Sequence, residues 1–153
     1  MKPVSAGRSA PLIAALGFFA LVAQTLLFRD FLTVFEGSEL SVGVFFATWF
    51  LWIAAGALAG RATPRCAAHF PWLTLLYIPA FVIEHYLIRG ARGLAGVAAF
   101  EVFPYKALLV WSLLTNAPVS VLTGWLFTLA CSWWEQEHRA SFPVARVYVL
   151  ESL

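Results

Sequence analysis

Apolar residues fall along this chain in blocks about twenty long, separated by brief charged stretches. Ser9 to Phe28 is uncharged, and so is Leu40 to Gly60, a run of 21 residues. Cys66 to Ile83 contains no Asp, Glu, Lys or Arg, and Ala107 to Trp134 is uncharged throughout. At about 1.5 Å per helical residue, the first three blocks match a hydrocarbon layer roughly 30 Å thick, and the fourth, longer one crosses it with tilt or a kink. The pattern predicts an all-α integral membrane protein: a bundle of four transmembrane helices plus the start of a fifth. The spans fall at about 9–35, 39–60, 69–88 and 106–134, with a further helix beginning over 144–153 in one transmembrane domain.

Local signals place the joints. Gly37 suits a C-terminal cap, Ser38 an N-cap, and Glu39 the positive end of the next helix. In the third span Pro79 predicts a kink within a helix from about Pro71 to Ile88, and Pro118 predicts one in the fourth. Arg89 to Tyr105 is Gly-rich and then aromatic, which suits a loop or short surface helix. Small residues at Gly43, Ala47, Gly56 and Gly60 mark where another helix approaches the second. In the fourth span Ser112, Asn116, Ser120, Gly124, Thr128 and Ser132 recur every four residues along one ridge. Asn116 and Gly124 should face protein or a substrate path, with Leu113, Trp125 and Leu129 turned toward lipid.

Composition agrees with the pattern. The chain is 61% hydrophobic and 12% charged, against about 45–50% and about 25% in soluble domains. A domain of 153 residues has no soluble core large enough for that excess. The basic residues sit in short turns rather than on one face, which excludes a nucleic-acid partner. The lipid bilayer is the first partner. With the N-terminus inside, Lys2, Arg8, Arg61, Arg65, Arg139 and Arg146 lie on the cytoplasmic side, and Arg29, Arg89, Arg92 and Lys106 outside. Trp72, Trp133 and Trp134 would mark the inner interface. Cys66 and Cys131 are too few for a disulfide framework, and both fall on the cytoplasmic side as inert thiols. The first run is too long for a cleaved signal peptide.

Phe28 to Arg61 carries a recognisable pattern in Arg29, Asp30, Phe31, Leu32, Gly37, Glu39, Leu40, Gly43, Trp49 and Gly56. It resembles the first two helices of the membrane region of bacterial spermidine synthase-like proteins, with Ser38 where Asn is usual and Asp30 where Glu is usual. The tail from Arg146 through Tyr148 and Glu151 resembles the entry to that family's next helix. The resemblance implies a multi-pass protein of the bacterial inner membrane. It also implies a soluble aminopropyltransferase-like domain beyond the helices, none of which is present in this sequence.

Charge inside a bilayer is costly, so Arg29, Asp30, Glu84 and His85 form the candidate polar site. Glu84 and His85 diverge by about 100° on a helix; they either reach the interface separately or build a proton or ligand site with Arg29 and Asp30. Arg29 is expected to meet Glu36, Glu84 or Glu101, and Asp30 to meet Arg89 or a loop donor. His69 and His85 lie on one helix and His138 in the tail, so two facing haem ligands are not expected. No catalytic residue, metal or cofactor is expected, and Gly90, Gly93 and Gly96 do not form a nucleotide loop. The reading is a non-catalytic anchor or scaffold for a soluble domain or partner subunit. The alternatives are part of a small-solute, polyamine-like transporter, or an accessory membrane subunit of an electron-transfer complex.

Overall fold

The computed structural model describes residues 9–98, 101–138, 144 and 147–149. Helix α1 runs Ser9–Val34 and α2 Glu39–Ala62. A 3-10 segment, Pro64–His69, leads to the short α3, Phe70–Leu73, then a second 3-10 turn, Thr74–Leu76, and α4, Tyr77–Leu94. Helices α5, Tyr105–Thr115, and α6, Ala117–His138, follow. No strand occurs among the described residues. Three segments are long and apolar enough to cross a membrane: Ala10–Val34, Glu39–Ala62 and Pro64–Leu94. The pair α5–α6 is a fourth candidate, bent by 44°.

Two parallel pairs build the bundle. Helix α1 packs chiefly on α4, and α2 on α6. On α1, Ile13, Leu16, Ala23, Leu27 and Phe31 are buried, a stripe at helical spacing. The opposite faces stay apolar outward, with Phe18, Leu21, Phe50, Leu58 and Ile78 exposed. Water would reject such a surface, whereas hydrocarbon accepts it.

The α2–α6 contact is backbone on backbone. A Cβ at Gly56 would run into the Val121 carbonyl, 2.8 Å from its carbon. One at Gly124 would likewise run into the Ile53 carbonyl, 2.8 Å from its carbon. At Gly60 the obstacle is the Thr128 Cβ, 2.7 Å away. The Gly56-x-x-x-Gly60 stripe and the Gly124-x-x-x-Thr128 stripe therefore lock face to face. Gly43 is a correction: it is exposed, and a Cβ there would meet nothing within 4 Å. Thirteen residues separate it from Gly56, about 220° around the helix, so it faces away from α6. Ala47 is exposed as well.

Between α1 and the α2–α6 pair lies a groove of about 650 Å³. Gly17 and Gln24 line one wall and Ile53 and Phe127 the other, with Val144 and Tyr148 beside them. Residues 144 and 147–149 are helical, and Val147 is buried. The rest of the expected fifth helix lies outside the described residues, as do Lys2, Arg8, Arg139, Arg146 and Glu151.

Several local expectations are corrected. The third segment runs from Pro64 to Leu94, and its irregularity sits at residues 64–76, ahead of Pro79. Pro79 occupies the first turn of α4, where its missing N–H costs little. Helix α4 also continues through Arg89 and Arg92, although Gly90 and Gly93 dilute the pattern. The break in the last segment falls at Asn116, with Pro118 in the first turn of α6. Leu129 is fully buried rather than turned outward, because α6 is flanked by α2, α3 and α4. Trp133 and Trp134 are buried too, the former against the Phe70 ring at 5.1 Å.

Candidate functional site

The break between α5 and α6 gathers the buried polar chemistry. Pro118 has no N–H for the carbonyl four residues back, and α6 starts afresh at Ala117. Two backbone groups beside the break are bonded from other helices. The Trp52 indole on α2 donates to the Leu113 carbonyl at 2.7 Å. The Val119 N–H, in the first turn of α6, donates to Glu84 Oε2 at 2.8 Å. Glu84 is thus a cap supplied by α4, acid at the positive end of a helix. It is fully buried.

Asn116 sits at the joint and ties it to α2. Its amide donates to Thr48 Oγ1 at 2.8 Å and to the Phe45 carbonyl at 3.2 Å. Five buried oxygens around this joint have no hydrogen-bond partner among the described residues: Glu84 Oε1, Ser112 Oγ, Thr115 Oγ1, Asn116 Oδ1 and Ser120 Oγ. They lie within two turns of the break on three helices. Such a set suits water or a small hard cation rather than a transition metal. Among the described residues, no three of His, Cys, Asp and Glu gather as metal ligands.

The charged residues of α1 form a separate site. His85 Nδ1 lies 2.6 Å from Asp30 Oδ2, which joins α4 to α1. Adjacent on the helix, Glu84 points to α6 and His85 to α1, so the four sequence candidates divide between two places. The Phe81 ring stacks on His85 at 6.2 Å and Tyr86 meets its edge at 5.5 Å, which fixes the imidazole. Among the described residues Asp30 thus pairs with neither Arg89 nor a loop donor, and none of the glutamates expected for Arg29 pairs with it. Arg29 and Arg89 instead line a notch of about 250 Å³ with Leu26, Asp30, Phe81 and His85.

Comparison with family models, curated proteins and solved structures finds no match. The geometry of the chain itself is what bears on function.

Sequence reasoning passed over Arg92, the busiest side chain at this end. Its guanidinium donates to the Val34 carbonyl at 3.3–3.4 Å, to Glu36 Oε1 at 2.7 Å, and to the Ala98 and Glu101 carbonyls at 2.6 and 3.0 Å. It also lies 5.8 Å over the Phe103 ring. One planar fork thereby ties the end of α1 and the α1–α2 turn to Ala98 and Glu101. Glu36, at φ 67°, is a non-glycine residue in the left-handed region, and its ion pair with Arg92 offsets the strain. Gly37, at φ 55°, needs no such help. Ser38 then caps α2, accepting from the Ser41 N–H at 3.2 Å. The signal available in the sequence was an Arg in the last turn of an amphipathic helix, beside freed carbonyls.

Cys66 is half-buried and Cys131 buried, and neither is in a disulfide. His69 is exposed.

Proposed function

We propose that this chain is a membrane-embedded, non-catalytic helical domain that anchors or scaffolds a soluble domain or partner subunit. In this reading it lies in a bacterial inner membrane with its N-terminus in the cytoplasm, in the manner of the membrane region of spermidine synthase-like proteins. The observation that carries it is the α2–α6 lock, in which Gly56 and Gly124 bring two backbones into contact and Gly60 packs on the Thr128 Cβ. A seam with so little side chain between the backbones resists sliding, which suits a rigid platform better than a moving gate. The 650 Å³ groove supports the same reading. Among the described residues its lining includes Gln24 and Thr123 but no acid to pair with the ammonium groups of a polyamine.

One observation favours transport as a second reading. A broken helix with five unpartnered buried oxygens, one of them on a buried carboxyl, resembles the discontinuous helices from which solute and ion sites are built.

One preparation tests both. A soluble fluorescent reporter is joined after Leu153, and the fusion is purified and reconstituted into vesicles. The scaffold reading expects the reporter to stay with membranes through alkaline carbonate extraction. It also expects vesicles no more permeable to labelled spermidine than protein-free ones. Saturable uptake abolished by Glu84→Gln would replace it with the transport reading. Release by carbonate would overturn both.

A further inference from the structure

The notch between α1 and α4 is lined by two arginines that the fold does not use. Arg29 and Arg89 are exposed, and neither guanidinium has a hydrogen-bond or ion-pair partner among the described residues. The acid between them, Asp30, is already bound to His85. With two cations and one carboxylate, the notch favours an anion. A guanidinium pair presents flat donor forks that match phosphate oxygens.

The surroundings select the kind of anion. Helices α1 and α4 run parallel, as the pairs Phe19–Tyr77, Asp30–His85 and Val34–Arg92 show. Leu26 and Phe81 therefore line the notch on the side of the apolar middle of both segments, and the arginines on the side of their ends. Further along the same seam is an apolar hollow of about 200 Å³, lined by Leu12, Phe19, Leu75 and Ile78 among others. Leu12, Phe19 and Leu26 are seven residues apart and share one face of α1. Seven residues are about 10 Å of helix, well within the reach of an acyl chain. A cationic notch at the charged end of two apolar helices, continued by an apolar hollow, has the layout of an amphiphile.

We propose that this seam binds one anionic phospholipid, its phosphate between Arg29 and Arg89 and an acyl chain along Leu26, Phe19 and Ile78. The hydrogen bond between Asp30 and His85 ties up one oxygen of the notch's single carboxylate, leaving the two guanidinium groups to the phosphate. The proposal rests on bilayer placement and is independent of a scaffold or transport role.

Native mass spectrometry of the purified chain in detergent, titrated with phosphatidylglycerol or with phosphatidylcholine of the same acyl chains, tests it. The wild type should retain one phosphatidylglycerol in preference to phosphatidylcholine. Arg29→Gln with Arg89→Gln should weaken phosphatidylglycerol binding roughly 25-fold, since each basic residue near an anionic lipid is worth about a factor of five. Because both side chains are free, the double variant should fold; an unchanged gel-filtration profile and melting midpoint check this. Arg61→Gln with Arg65→Gln, in the basic turn at the other end, serves as control and should leave the first binding event unchanged. Equal affinity for the two lipids, or an equal loss in the control, would overturn the proposal. Displacement of the bound lipid by inorganic phosphate would show a site for the free anion instead, and would overturn the lipid assignment.

Discussion

Alanine at Gly124 and alanine at Gly43 add the same methyl group, yet the fold gives them opposite consequences. At Gly124 the new carbon would lie 2.8 Å from the Ile53 carbonyl carbon and 2.9 Å from the Ala57 nitrogen. Ordinary contact is about 3.5–4.0 Å, so α2 and α6 must part by roughly 1 Å. A gap of that size forfeits a quarter to a half of each atom pair's attraction, about 0.1–0.2 kcal/mol apiece. A seam engaging about 50 pairs, as one buried leucine does, would lose about 1–5 kcal/mol, a range that includes overpacking costs of about 1–3 kcal/mol. The expected loss for Gly124→Ala is about 2–3 kcal/mol, and Gly124→Leu should not yield folded protein. Gly43→Ala meets nothing and should be neutral or gain up to about 1 kcal/mol from helix propensity. Gly56→Ala probes the reciprocal contact on Val121, so combining it with Gly124→Ala should cost less than the sum: the first methyl already opens the space the second needs. Titration of purified protein from mild detergent into dodecyl sulfate, followed by tryptophan fluorescence, reads the midpoints. Equal midpoints for Gly43→Ala and Gly124→Ala, or full additivity in the double variant, would refute the lock.

Three further outcomes follow from the same geometry. Glu84→Gln keeps an acceptor for the Val119 N–H and should lie close to wild type in that titration, whereas Glu84→Leu leaves the amide unpaired and should cost about 1–3 kcal/mol; equal losses would remove the capping role. Arg92→Lys cannot reproduce the fork, so amide exchange over residues 95–98 and 101–104 should quicken about tenfold, a loss of about 1.4 kcal/mol in local stability, while unchanged exchange would show the loop to be held by Phe103 packing. In intact cells an impermeant thiol reagent should label a cysteine placed at the exposed Val102 and spare the native Cys66; the reverse pattern would invert the orientation.

The helical segments were legible because each is a simple count: about twenty apolar residues between charges admit little else. The ridge from Ser112 to Gly124 was legible too, since every member repeats at four residues and its members from Ser112 to Gly124 are buried. What the count does not encode is how many neighbours a helix has. Leu129 looks lipid-facing when α6 is imagined with one partner, and it is buried because α6 has several. Gly43 fails for a related reason: small size marks a possible contact, while the angle between positions decides which glycines share a face.

The polar sites were harder to read because their partners are distant in sequence. Glu84 and His85 are neighbours in the chain, and the 100° between them sends one to α6 and the other to α1. Glu84 could be matched to Val119 only by knowing that the helix breaks at Asn116, ahead of the proline that marks the region. That break is what links sequence to chemistry here. Pro118 leaves a carbonyl without its donor and opens a helix N-terminus inside an apolar segment. An exposed amide there would be costly, so a buried acid on another helix becomes stabilising where it would otherwise be a liability. The carboxyl of Glu84 is therefore explained by backbone satisfaction on one oxygen, Oε2. Its other oxygen, with Ser112, Thr115, Asn116 and Ser120, has no such structural account. It is on that second oxygen that the scaffold and transport readings diverge. A purely structural cap needs one acceptor, which Glu84→Gln preserves, whereas a site that moves a cation or proton needs the acid itself.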